Sequence, residues 1–325
     1  MSRYTMGAVL TVSLTASAAN WEEWKATLAS AIHSLDAGQC RESEPLVQRA
    51  LQLARELGSD DLAYTLRAAG SLEFCLGKFQ EAEQSYRKAL RILAPLNGHR
   101  LAVCRLHSDL GSLYMALGGH LTEAEKEFRL ELAMLASIPG PLQVQDTADA
   151  LSSLAGVVST RGAREEARDL FNRALALAEK PPGMPESAAL ALNGLGGIAM
   201  ENGRTEEALA YFAHSTEVWR QTGRGRHSDV IPSLLNSGIA LLKLKRPIES
   251  LPVLREAQEI AEASLGPAHP LLGQVLLARA EALTKTGKRK EGWELKRRSA
   301  LIRNQRAAGG ATISVMDLIK ESSAR

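Results

Sequence analysis

The sequence predicts an all-α fold in which about seven helix–turn–helix units stack on one another and a C-terminal helix caps the array. Three observations carry this reading. A turn residue recurs at Gly38, Gly77, Gly118, Gly162, Gly203, Lys245 and Gly287, with separations of 39, 41, 44, 41, 42 and 42 residues. A small residue stands at a fixed distance on each side of every turn, and an apolar stripe of helical spacing follows it. Seven such units fill the chain from Trp24 to Arg303.

Each unit is built the same way. Seven residues before the turn stand Ala31, Gly70, Gly111, Ala155, Gly196, Gly238 and Ala280; five residues after it stand Ser43, Ala82, Ala167, Ala208, Ser250 and Gly292. Ala124 joins the second set if one extra residue follows Gly118. Small residues on both sides of a tight turn let two antiparallel helices approach closely. In the second unit the downstream stripe is Ala82, Tyr86, Ala89 and Leu90, at i, i+4, i+7 and i+8, and Phe128, Phe171, Phe212 and Leu254 replace Tyr86 in later units. One hairpin cannot bury both of its faces, so neighbours must complete the core. The expected boundaries are a signal-like or flexible segment at 1–20, the repeat array at 21–306 and a flexible tail at 307–325.

These residues resemble the tetratricopeptide repeat: a Leu-Gly pair as in Leu110-Gly111 and Leu195-Gly196, a turn glycine, then alanine, an aromatic and alanine. The period near 42 and the linker "SLGPAHP" at 264–270 are similar to the longer subclass found in kinesin light chains. The resemblance implies a right-handed α–α superhelix. The tryptophan typical of the first helix is replaced by Leu66, His107 and Leu192, and Glu131 occupies a position where a small residue is expected, which predicts irregular packing in the third unit. Lys296 stands where other units carry an apolar residue, so Glu291 to Arg306 is read as a cap with a polar outer face.

Composition excludes several classes of function. With 39 basic and 37 acidic residues the net charge is +2, which commits the chain to neither nucleic acid nor a membrane surface, and aromatics make up only 4%. The stretch from Lys285 to Arg306 has nine basic residues against Glu291 and Glu294, a local +7 read as a solubilising face rather than a nucleic-acid grip. No run other than the N-terminal one is long enough to suggest a membrane span. That N-terminal run has Arg3, an apolar core from Met6 to Leu14 and Ala16-Ser17-Ala18, the order of an export signal; a cytoplasmic protein with a frayed extension is the alternative. Cys40, Cys75 and Cys104 form no paired motif and are read as buried thiols. The apolar run Ile313–Ile319 in the tail either is disordered or folds back on the array.

No catalytic, metal or cofactor motif is present. "GLGGIA" at 194–199 fits G-x-G-x-x-A, but it lies inside a helical segment with no preceding strand, so it does not form a dinucleotide site. The histidines never pair at ligand spacing, and His107 is read as a packed core residue. No cofactor is expected. In the family that the chain resembles, the first helices line a groove that binds peptides. The resemblance places Tyr64, Arg67, Ser71, Arg105, Ser108, Asp109, Ser152, Ser153, Asn193, Met200 and Asn236 on that face. It implies a noncatalytic scaffold for a protein or peptide partner, or alternatively a peptide-responsive sensor; an enzyme with a site in the groove is the least supported reading. Asn193 and Asn236 are the leading contacts, because an amide both donates to and accepts from a peptide backbone.

Overall fold

The computed structural model describes residues 5–138, 140–180, 183–265 and 267–307. Side chains of the signal-like segment up to Ser17, and the tail after Ala307, lie outside the described residues. Among the described residues there are fourteen α-helices and no strand. Their packing groups the chain into two units, 1–187 and 188–325.

The first unit contains α1 (Thr5–Asp36), α2 (Cys40–Leu57), α3 (Ser59–Cys75), α4 (Phe79–Leu93), α5 (Arg100–Leu117), α6 (Leu121–Leu135), α7 (Pro141–Thr160) and α8 (Arg164–Ala178). These pair as antiparallel hairpins, and the first helix of each hairpin packs beside that of the next. The second unit contains α9 (Pro185–Glu201), whose first turn begins at the boundary, with α10 (Thr205–Gln221), α11 (Ile231–Lys243), α12 (Pro247–Ser264), α13 (Pro270–Lys285) and α14 (Arg289–Ala307).

All seven turn residues take positive φ, from 60° at Lys245 to 91° at Gly162. At Lys245 the left-handed conformation is adopted without glycine, in a turn closed by Arg246 N–H donating to the Leu241 carbonyl at 2.8 Å. Lys78 to Glu73 and Arg204 to Ala199 close their turns in the same way. In the third unit Gly119 joins Gly118 in positive φ, and this double turn accommodates the extra residue that displaces Ala124.

The small positions work by close approach. A Cβ at Gly196 would lie 2.5 Å from the Phe212 ring, and one at Gly111 would lie 2.7 Å from that of Phe128. The aromatic of the second helix therefore rests directly on the backbone of the first, and the alanines flanking it, Ala82, Ala124, Ala167 and Ala208, are fully buried. "GLGGIA" lies within α9, as its helical context requires. In α14, Lys296 is exposed and Trp293 is 59% exposed with the Arg297 guanidinium 5.8 Å from its ring centre, so the last helix has a polar, solvated face.

One expectation is corrected. Cys104 is a buried free thiol, but Cys40 and Cys75 are joined in a disulfide with Cα atoms 6.1 Å apart. Their separation of 35 residues is close to one repeat. Cys40 just follows the first turn and Cys75 just precedes the second, so stacking two hairpins brings them together. No local motif could announce such a pair. His107 is mostly buried, as expected, but it is satisfied by a 2.6 Å contact with the Glu127 carboxylate rather than by apolar packing.

Candidate functional site

The first helices present their polar residues to one another across repeats. In the first unit, Arg67 on α3 donates through Nε to Asp109 on α5 at 2.5 Å. One repeat further on, Arg105 on α5 donates to Asp146 on α7 at 3.1 Å. The residues in these pairs are 42 and 41 apart, the repeat period itself. Burial opposes the charge on Arg67, but the bonded Asp109 carboxylate outweighs it and raises the guanidinium pKa.

The other predicted residues of this unit are held by local bonds. Tyr64 shares a hydrogen bond of 2.9 Å with His99 Nδ1, and His99 Nε2 lies 3.1 Å from Asp60. Ser71 donates to the Arg67 carbonyl and accepts from Tyr86 at 3.3 Å. Ser108 is hydrogen-bonded to Glu131. Ser153 is half-buried, and the buried Ser152 Oγ has no hydrogen-bond partner.

Glu131, on α6, is the irregularity of the third unit. Its equivalents Ala89 and Ala174 are fully buried, and the carboxyl that replaces them is only 2% exposed. Burial first, then the carboxylates of Asp146, Asp109 and Asp149, push its pKa up to about 8 against the Ser108 hydrogen bond. Burial also raises Asp149, whose Oδ1 accepts from Ser187 at 2.6 Å, and pushes the Cys104 thiol up to about 11. Asp146 and Asp149 were missed from sequence. The repeat register could have found Asp149, which stands thirteen residues before its turn, as do Tyr64 and Arg105.

In the second unit, Asn236 on α11 donates through Nδ2 to Asn193 Oδ1 on α9 at 3.2 Å, again across one repeat. The structure thus brings the two predicted asparagines into contact. Met200 is half-buried and packs on the cluster of Ala199, Ala208, Phe212 and Ala240, so it serves the hairpin core. Cavities of 410 Å³ (Gln48, Arg49, Leu51, Gln52, Arg55) and 250 Å³ (Arg129, Leu132, Leu151, Leu154, Leu170, Arg173) are lined by none of the predicted site residues. Among the described residues, no group of three His, Cys, Asp or Glu is arranged to hold a metal ion, and no helix is long and apolar enough to cross a membrane.

Stacked helical hairpins with small-residue seams, left-handed turns and side chains bridging at the repeat period define a helical-repeat protein. The family model described as Tetratricopeptide repeat matches residues 25–94 and 187–245, and a second of the same description matches 147–180, together just over half of the chain. The chain belongs to the tetratricopeptide repeat family and is of the kinesin-light-chain-like type. It is 24% identical over 233 residues to Protein KINESIN LIGHT CHAIN-RELATED 3 of Arabidopsis thaliana, covering 70% of this chain and 35% of that protein. The chain spans about a third of the length of the curated relatives it matches. Among solved structures it is similar in fold to aspartyl phosphate phosphatase F from Bacillus subtilis, with a TM-score of 0.66 at 14% identity over 97% of this chain and 79% of that one. It is likewise similar to NprR in complex with its cognate peptide NprX, with a TM-score of 0.64 at 14% identity over 83% and 76%.

Proposed function

We propose that this chain is a noncatalytic scaffold that binds peptide segments along its first helices, with Asn193 and Asn236 holding the peptide backbone. The contact between these two residues carries the reading. It uses one donor of Asn236 and the acceptor of Asn193, leaving the Asn193 amide NH₂ and the Asn236 carbonyl to pair with a peptide. Two amides linked at the repeat spacing form a preorganised donor–acceptor pair that makes little demand on peptide side chains. The fold likeness to NprR, solved with a bound peptide, supports the same class of ligand.

The test pans the full chain against a randomised 12-residue peptide library. Enriched peptides are then measured on the wild type and on the Asn193→Ala/Asn236→Ala variant, with melting curves for both. We expect about tenfold weaker binding in the variant with melting preserved, the loss of two backbone hydrogen bonds. No enriched peptide, or equal binding by both proteins, refutes the proposal. A sensor that changes shape on binding is the second reading, favoured by the fold likeness to NprR, described as a quorum sensor. A change in small-angle scattering on addition of an enriched peptide distinguishes it from a rigid scaffold.

A further inference from the structure

The acid cluster formed by Asp109, Asp146, Asp149 and Glu131 has no place in a purely structural account of the first unit. It draws on three helices: Asp109 from α5, Glu131 from α6, and Asp146 and Asp149 from α7. Asp109 and Asp146 are neutralised by Arg67 and Arg105. Asp149 is held by the Ser187 hydroxyl alone, and Glu131 by that of Ser108. Four carboxyl groups thus stand against two guanidinium groups.

The independent observation is Glu131 Oε2. It is buried on a residue only 2% exposed, and it has no hydrogen-bond partner. Folded proteins rarely leave a buried carboxyl oxygen unpaired, because its desolvation is then uncompensated. The position does not require an acid for packing, since Ala89, Ala174 and Ala257 fill it in other repeats. Asp109 and Asp146 keep side-chain exposures of 18% and 14%, so solvent reaches two members of the cluster.

We propose that this cluster seats one positively charged group of a bound peptide, a guanidinium or an ammonium, between Asp149 and Glu131. The inference rests on the peptide-binding reading and adds the chemistry of the ligand. The cation supplies the donors that Glu131 Oε2 lacks and the charge that Asp149 lacks. A metal ion is not the fitting occupant, because these carboxylates do not converge as a ligand set. An organic cation spans a wider group of acceptors.

Binding then carries a proton signature. The charged groups that act on Glu131 are Asp109 on α5 and Asp146 and Asp149 on α7; Glu131 in turn acts on Cys104 on α5, and Arg67 and Arg105 are bonded to Asp109 and Asp146. With its pKa near 8, Glu131 holds its proton at pH 7, and an arriving cation makes it lose that proton to the buffer.

The experiment takes the peptides enriched on the full chain and compares the wild type with Glu131→Ala and Asp149→Asn. Three peptide arms replace arginine by citrulline, replace lysine by norleucine, or acetylate the amino terminus, and so identify the source of the charge. Calorimetry at pH 7 in buffers of different ionisation enthalpy counts protons. The expected result is that neutralising one cation weakens wild-type binding about tenfold, has a smaller effect in either variant, and that up to ~0.9 proton is released by the wild type but none by Glu131→Ala. Enriched peptides that bind without a cation, or equal proton release by wild type and Glu131→Ala, overturn this inference alone. A library that enriches nothing overturns it together with the peptide-binding reading.

Discussion

Glu131→Ala removes a buried carboxyl and restores the residue that equivalent repeats carry, so its effect on stability has a defined dependence on pH. The side chain has its pKa raised from 4.5 to about 8. An acid whose folded-state pKa lies above its unfolded value holds its proton more tightly in the folded chain. The stability due to that proton is complete below about pH 4.5 and is lost as pH rises through about 8. Between those limits the loss is about 1.4 kcal/mol per pH unit, which amounts to about 2.5 kcal/mol from pH 5 to pH 7. The lost Ser108 hydrogen bond is worth about 1 kcal/mol and changes little with pH, so the pH term decides the comparison. Urea unfolding followed by circular dichroism at pH 5 and pH 7 measures it. The wild-type midpoint should fall relative to that of the variant by about 1 M over this range. Asp149, whose pKa burial raises, is present in both proteins, so its contribution largely cancels. Midpoints that move in parallel between the two pH values would refute the claim that Glu131 is buried and protonated.

Two further outcomes test the packing and the covalent staple. Gly196→Ala forces a Cβ to within 2.5 Å of the Phe212 ring, whereas the neighbouring Gly197→Ala meets nothing within 4 Å. Overpacking costs about 1–3 kcal/mol and helix propensity returns about 1, so the first substitution should lower the melting temperature and the second should raise it; the same sign for both would contradict the seam. Reducing Cys40–Cys75 opens a closed loop of 35 residues. The chain-entropy estimate for that loop is about 4 kcal/mol, so dithiothreitol should lower the melting temperature of the first unit. Unchanged melting would mean that the bond does not stabilise the first two repeats.

The array was legible in the sequence because its determinants are local and repeated. A left-handed turn and a small residue seven positions before it recur within each hairpin, and in the second to fifth an aromatic follows at near-constant spacing. Gly111 against Phe128 and Gly196 against Phe212 are both visible as spacings. The sequence register also put Arg67, Asp109, Arg105, Asn193 and Asn236 on first helices, where the structure has them. Their partners were not legible. Arg67 with Asp109, Arg105 with Asp146 and Asn236 with Asn193 meet only because hairpins stack with a period of 41–43 residues, and a shift of one helix position would separate each pair.

The sequence by itself determined the all-α repeat, its turns and its seams, since each depends on side-chain size and backbone freedom within about forty residues. Tertiary structure decided which polar groups are satisfied. It joined Cys40 to Cys75, paired two arginines with two of the four acids, and left Glu131 Oε2 buried without a donor. Satisfaction and burial depend on what other segments place around a side chain, and spacing along one chain does not record that.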